Sequence, residues 1–346
     1  MHPIVSRKRF FVVGLVTGAC SLLPGTAMAS LGPGGSNGEA HQEHKREGQT
    51  LSSRITFRGA TKAPGNASGS MAPVGDWTPP ACWYEPYSAD EFAKDTEDGY
   101  STVANDPRQP SYAKSSVGQF RNIYKDGKYK NYNKDKADQG SWWVATRDPD
   151  RWMDDAAQVC NKMPFWVKNG ETPQVENAVT PEILAELAYN KVRLPDTEVT
   201  LAPADTTKVN LPTWAWLDKR QFKPVSVTAA LNAAGVDIQA TTTAEPVSLK
   251  IDPGTSDATT FPASGECPII NGRIGEPYAA GKADKTPPCG VEYLRSSGNG
   301  TYKLNATVTW KIHWTGTGVA GEQPLPDGEF GTTQDVTVQE IQTVNR

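Results

Sequence analysis

The chain has 346 residues, 37% of them hydrophobic and 21% charged, with 10 Trp, 5 Cys and 4 His. That length allows roughly two domains and excludes a single mini-domain. The formal charge is −4, and Arg7, Lys8 and Arg9 are the only charged side chains before residue 30, so the remainder is more acidic still, which argues against nucleic-acid binding through bulk positive charge.

Arg7, Lys8 and Arg9 precede the apolar run Phe10 to Leu23, and Ala27-Met28-Ala29 supplies a small-residue cleavage site. This order defines a signal peptide over residues 1–29, cut between Ala29 and Ser30. The apolar run is shorter than the roughly 20 residues that span a bilayer, so no membrane span is expected in the mature form. Ser6-Arg7-Lys8-Arg9-Phe10-Phe11 loosely echoes a twin-arginine signal, but Lys8 stands where the second arginine belongs, and the general secretory route is preferred. Cleavage removes Cys20 and leaves Cys82, Cys160, Cys267 and Cys289, an even number in an oxidising compartment. Two disulfides follow. Four cysteines allow three connectivities, and the pairing Cys82 with Cys160 and Cys267 with Cys289 keeps each bridge inside one proposed domain. The chain-entropy account assigns each bridge about 3–4.5 kcal/mol.

Residues 30–74 are rich in Gly, Ser and polar side chains, with too little apolar surface to offset the entropy of ordering, and read as a flexible leader. Its His41-Gln42-Glu43-His44 reads as solvated polar sequence, and no metal is expected.

Residues 75–194 form an aromatic-rich, mostly helical domain. Ser88 and Glu91 have capping-box spacing for a helix over roughly 89–98. Asp148-Pro149 opens a second helix reaching Cys160, with Trp152, Met153, Ala156 and Val159 at helical spacing. Thr180-Pro181-Glu182 opens a third, whose buried stripe is Ile183, Leu184, Leu187 and Ala188. Between the first two, Tyr124-Lys125-Asp126-Gly127-Lys128-Tyr129 reads as a hairpin around an Asp-Gly turn.

Residues 195–346 change to period-two segments rich in Val and Thr. Val225 to Ala229, Val236 to Thr241 and Val247 to Ile251 alternate between turn signals. In the longest, Tyr302, Leu304, Ala306, Val308, Trp310, Ile312 and Trp314 share one face, and Lys303, Asn305, Thr307, Thr309, Lys311 and His313 the other. Val336, Val338 and Ile341 mark a closing strand. The expected fold class is therefore α+β: a small helical domain followed by an antiparallel β-sandwich.

Leu249-Lys250-Ile251-Asp252-Pro253-Gly254, followed by Tyr293, Gly300, Tyr302, Leu304 and Val308, resembles the landmarks of a polycystic-kidney-disease-type (PKD-like) immunoglobulin domain over about residues 220–345. That resemblance implies an immunoglobulin-like sandwich. The mature chain also resembles a group of actinobacterial secreted proteins of unknown function, through Trp77 to Pro86, Leu211 to Leu217 and Thr337 to Gln342. Members of that group often carry an ATP/GTP-binding label. Here Gly275-Glu276-Pro277-Tyr278-Ala279-Ala280-Gly281-Lys282-Ala283 has one residue too many between its glycines, and Ala283 replaces the Mg²⁺-holding Ser or Thr, so no nucleotide is expected.

His313 is the one histidine placed in a fold, on the polar face of its strand, and no G-x-S-x-G or HExxH string is present, which argues against triad or zinc hydrolysis. Asp148, Asp150, Asp154 and Asp155 could pair for glycoside hydrolysis, but acidic residues in a first helical turn complement its dipole. Lys125, Lys128, Lys130, Lys134 and Lys136 interleave with Tyr124, Tyr129 and Tyr132, a pattern able to neutralise an anionic polymer and stack on sugars. Trp142-Trp143 and Trp214-x-Trp216 could add an aromatic platform. The sequence thus points to a secreted, non-catalytic structural or interaction module of the cell envelope or extracellular space, without a cofactor, whose partner is an envelope protein or wall polymer. The alternative is a carbohydrate or anionic wall-polymer binder using Lys125, Lys128, Tyr129, Lys130, Tyr132, Trp142 and Trp143, with a carboxylate-based hydrolase behind both.

Overall fold

The computed structural model describes residues 53–60, 68–195, 197–217, 223–282 and 284–341. The expected signal peptide, the expected Ala29–Ser30 cleavage site, and residues 30–52 with His41 and His44 lie outside the described residues.

Part of the expected leader is strand. β1 (Thr56–Gly59), β2 (Ser68–Ser70) and β3 (Ala72–Pro73) each pair with an element far along the chain. Composition misses them because each pairs with a distant strand that supplies its backbone hydrogen bonds, and few side chains here, Ile55, Phe57, Ala60 and Met71, need reach the core.

The aromatic region is built on β4 (Cys82–Tyr87), α1 (Ala89–Asn105), α2 (Ser111–Lys125), β5 (Gly140–Arg147) and β6 (Phe165–Lys168), with the strands in the order β4-β5-β6. The Ser88–Glu91 capping box forms as expected, and α1 runs past residue 98 to end at Asp106, extended ahead of Pro107. A sheet, rather than helices alone, is the centre of this unit. β4 and most of β5 are buried, with Phe92, Tyr124, Tyr132 and Trp142 packed on one face and Tyr84, Trp143, Val167 and the Cys82–Cys160 pair on the other. A strand covered on both faces reads as a continuous apolar run, without the alternation that identifies a half-exposed one.

Two further expectations fail here. The Asp126-Gly127 hairpin is instead the end of α2, where Asp126 N–H and Gly127 N–H both donate to Asn122 O, at 3.1 and 2.6 Å. The helix from Asp148 to Cys160 is absent, replaced by turns and one 3₁₀ turn at Asp155–Ala157. Asp148 Oδ1 accepts from Asp150 N–H at 2.9 Å, capturing a backbone donor locally, and the following bonds span three residues: Arg151 N–H to Asp148 O at 3.1 Å, Asp154 N–H to Arg151 O and Ala157 N–H to Asp154 O both at 2.9 Å.

α3 (Pro181–Lys191) forms as the sequence predicts, with Thr180 Oγ1 accepting from Ile183 N–H at 3.2 Å and Leu184, Leu187 and Ala188 buried. It packs on the C-terminal half: Thr242 Oγ1 donates to Ala185 O at 2.7 Å, and Leu184, Leu187 and Tyr189 join the main core. Beyond it come β7 (Arg193–Pro195), β8 (Thr200–Ala202), β9 (Thr206–Lys208), β10 (Thr213–Trp216), β11 (Val225–Ala233), β12 (Val236–Asp252) and β13 (Ala258–Phe261). The series ends with β14 (Glu266–Ile270), β15 (Arg273–Ile274), β16 (Gly290–Tyr293), β17 (Tyr302–Gly316) and β18 (Gln323–Gln339). The segments at 236–241 and 247–251 are one strand, β12, because Pro246 sits at a register shift instead of a turn.

The fold is strand-rich and α+β. One nine-stranded sheet runs β1-β11-β12-β17-β18-β3 with β9, β14 and β15 attached, and a four-stranded sheet runs β13-β16-β10-β8. The pairings are antiparallel except β9 with β18. As expected, β17 buries Leu304, Ala306, Val308, Trp310, Ile312 and Trp314. Val336 and Val338 are buried on β18, whereas Ile341 lies beyond the strand and is exposed. The core face of β18 is met by the segment ahead of β8: Gln334 Oε1 accepts from Val199 N–H and its Nε2 donates to Val199 O, both at 2.9 Å, while Thr197 Oγ1 donates to Ala306 O of β17 at 3.2 Å.

Both disulfides join the cysteines as paired from the sequence, with Cα–Cα distances of 6.0 Å for Cys82–Cys160 and 5.5 Å for Cys267–Cys289. The second ties β14 of the large sheet to the start of β16 in the small one.

Candidate functional site

The tyrosines and lysines of residues 124–136 are drawn into a structural knot. Glu97 of α1 accepts from Arg121 Nε at 2.7 Å, Lys125 Nζ at 2.8 Å and Tyr132 Oη at 2.7 Å. Partial burial works to raise the Glu97 pKa, but these three donors outweigh it and hold the carboxyl down at about 2. Burial, followed by the bond to Glu97, pushes the Tyr132 hydroxyl up. Asn131, Tyr132 and Asn133 are all left-handed, with φ of 41°, 60° and 58°. Such a run costs on the order of 1–2 kcal/mol at a residue like Tyr132. Here the Tyr132–Glu97 bond and the Trp142 Nε1 bond to Tyr132 O at 2.7 Å hold it in place.

The aromatic platform is not formed. Trp142 and Trp143 are consecutive strand residues, so they point to opposite faces of β5, and both are buried. Trp142 sits edge-on to Tyr129 at 4.7 Å, to Tyr124 at 5.1 Å and to Trp166 at 5.3 Å. Tyr129 stacks on Tyr124, and Lys128 Nζ lies 5.2 Å over the Tyr129 ring. Trp214 is buried and Trp216 half-buried. Of the seven residues proposed from the sequence, Lys128 and Lys130 remain exposed, and Lys130 Nζ bonds to Asp126 O.

The Gly275 to Lys282 loop folds back on β10. Gly275 has φ +67° and bridges to Trp216, and a Cβ there would fall 2.1 Å from Ala215 O, so this glycine serves chain packing. Lys282 pairs with Glu276 at 2.5 Å and lies over the Trp214 ring. His313 sits on the polar face of β17 with Nε2 3.8 Å from Glu322 Oε1. Among the described residues no group of three or more His, Cys, Asp or Glu is placed to hold a metal ion, and no helix is long and apolar enough to cross a membrane.

The sequence reading overlooked Glu85, which ties β4 to β5 and to the segment ahead of β1. Its fully buried carboxylate receives hydrogen bonds from Ser53 Oγ at 3.1 Å, Trp83 Nε1 at 3.2 Å, Tyr87 Oη at 3.3 Å and Thr146 Oγ1 at 3.1 Å. Burial raises its pKa, opposed by these bonds and by Arg54. The Arg54 guanidinium lies 3.8 Å over the Tyr87 ring, 3.6 Å from Glu91 and 4.0 Å from Asp95. Burial nonetheless pushes Asp95 up to about 6. Beside this network, Ser53, Phe57, Trp83, Asp148, Pro149, Leu187 and Lys191 line a cavity with room for about one water molecule.

From this junction the chain enters residues 148–160, the loop that replaces the expected helix. Asp148 is buried and accepts from Asn190 Nδ2 at 3.1 Å, so it anchors a loop instead of complementing a helix dipole. Arg151 Nη1 donates to Pro79 O at 2.6 Å, Gln158 Nε2 donates to Trp152 O at 2.9 Å, and Ala157 and Cys160 are buried. Trp152 is 40% exposed, Met153 74% and Val159 60%, and Trp152 is the one exposed indole of the ten. Periodicity placed these three side chains at helical spacing, whereas the loop leaves them exposed.

Comparison with known protein families, curated proteins and solved structures finds no match. The assignment of function therefore rests on the chain's own geometry.

Proposed function

We propose that this chain is an exported, non-catalytic structural and interaction protein of the cell envelope or extracellular space. One observation carries the reading: a disulfide-anchored, hydrogen-bonded loop holds Trp152, Met153 and Val159 in solvent. Rigid presentation of large apolar side chains favours binding, because little ordering entropy remains to be lost on contact. Disulfides belong to oxidising compartments, in keeping with the signal peptide read at residues 1–29. Three of the four carboxylates that hydrolysis would draw on have other work: Asp148 anchors the loop, Asp150 pairs with Lys191 at 3.5 Å and Asp154 with Arg151 at 3.0 Å.

The PKD-like, immunoglobulin-type reading of the C-terminal half belongs to the same proposal, as does its likeness to the actinobacterial secreted group. It is supported where the two sequence landmarks meet: Tyr293 Oη donates to Pro253 O at 3.3 Å, and the Tyr293 and Tyr302 rings stack at 5.1 Å. Burial of Trp142 and Trp143 weighs against the wall-polymer alternative, leaving it the exposed lysines alone.

The test is to express the full chain in an actinobacterial host and map the protein recovered from the medium and wall under non-reducing conditions. The expected product begins at Ser30 and yields Cys82–Cys160 and Cys267–Cys289 cross-linked peptides. Retention in the cytosol with Cys82, Cys160, Cys267 and Cys289 unpaired refutes the proposal.

A further inference from the structure

The sign of the charge around Trp152 selects its partner. Two ion pairs flank the indole, and in both the carboxylate faces solvent while the cation is covered: the Asp150 side chain is 77% exposed against 17% for Lys191, and Asp154 is 49% exposed against 22% for Arg151. Arg151 is turned inward by its bond to Pro79 O, and Asp155 adds a third exposed carboxylate. A pair that is neutral on paper thus shows an approaching molecule its negative end, within a few residues along the chain of the exposed side chains of Trp152, Met153 and Val159.

We propose that this loop is a docking surface for a protein segment combining apolar anchors with flanking lysine or arginine. The inference rests on the interaction-module reading and specifies the partner for it. Trp, Met and Arg are enriched at protein interfaces, and buried Trp anchors dominate binding energies. The outward carboxylates give electrostatic complementarity to a basic segment and repel anionic lipid headgroups and anionic wall polymers. The loop arrives preorganised: the Cys82–Cys160 bridge closes it, and the Asp148, Arg151 and Gln158 bonds hold its backbone.

The experiment uses the purified, disulfide-intact chain and three fluorescent synthetic peptides. One carries a Leu and Phe anchor pair flanked by four lysines, the second the same anchors flanked by four glutamates, and the third the lysines with both anchors replaced by serine. The lysine-flanked apolar peptide is expected to bind at least tenfold more tightly than either control. Trp152→Ala/Met153→Ala should weaken it tenfold or more, and Asp150→Asn/Asp155→Asn should flatten its salt dependence. These side chains are exposed, and unchanged thermal unfolding together with an intact Cys82–Cys160 peptide confirms that each variant folds. Equal binding by the Trp152→Ala/Met153→Ala variant, preference for the glutamate peptide, or no binding at millimolar peptide overturns the proposal. Trp152-dependent sedimentation with phosphatidylcholine–phosphatidylglycerol vesicles, or Trp152-dependent self-association in sedimentation velocity, overturns it in favour of a lipid surface or a second copy of the chain. Cytosolic retention with free thiols defeats the extracellular reading separately, without touching the peptide result.

Discussion

β17 and the stretch from Tyr124 to Cys160 are both aromatic and both carry lysines, yet they use them in opposite ways. Along β17 the backbone sorts side chains by simple alternation, with Trp310 and Trp314 inward and Lys303, Lys311 and His313 on the other face. In the Tyr124–Cys160 region no single period governs. A helix end, a left-handed turn, a doubly covered strand and a pinned loop follow one another, and each fixes its side chains by particular partners. Residue composition therefore describes the first region well and misleads about the second.

The contrast is tested most severely by Trp142→Ala, which removes a fully buried indole and should cost about 3–5 kcal/mol. Hydrogen exchange would show α1, α2 and β5 losing protection while β12 and β17 keep theirs; equal loss in both regions would show that they unfold as one unit. Glu85→Ala comes next. Leaving several buried donors unpaired should cost about 3 kcal/mol in urea unfolding, at roughly 1–3 kcal/mol per orphaned group less whatever water recovers. Glu85→Gln, which keeps an acceptor, should cost less.

Asp95→Asn should act in the stabilising direction. Because folding raises the Asp95 pKa to about 6, its contribution is fully present below the unfolded value near 4 and is lost as pH rises through 6. Urea titrations of the wild type should show this contribution fall between pH 4 and pH 7. The Asn variant should lack that slope and be more stable at pH 7 by on the order of 2 kcal/mol, after allowance for solvent screening of a partly buried carboxyl. The smallest effect belongs to Thr228→Val on the outer face of β11, where loss of the 2.8 Å bond with Thr241 should change stability by less than about 1 kcal/mol.

What could be read in advance follows the same division. β17 and α3 were legible because local rules decide them: strict alternation in one, a Thr-Pro start and an apolar stripe in the other. The cysteine pairing was legible because each bridge closes within a compact stretch. α2 was hidden because its N-cap is Pro110, which offers no side-chain acceptor, and because Asp126-Gly127 also fits a hairpin. Glu85 was hidden because two of its partners, Ser53 and Thr146, lie 32 and 61 residues away along the chain. Trp152 carried a misleading signal, since helical spacing says nothing about whether a buried carboxylate upstream will capture the backbone. An exposed Trp beside a cysteine-closed loop rich in Asp was the available clue.

The outer edge of β18 has a consequence for the protein as a population of molecules. β18 spans 17 residues, and among the described strands β3 and β9 cover short stretches of its outer edge. An open strand edge recruits strands from neighbouring chains. Along the stretch between them Asp335 pairs with Lys303 of β17, and an incoming strand would have to bury these charges. An Asp335→Val protein is expected to keep its fold and still be lost to sheet-to-sheet aggregation when concentrated, so this one exposed carboxylate helps set how much of the protein stays soluble.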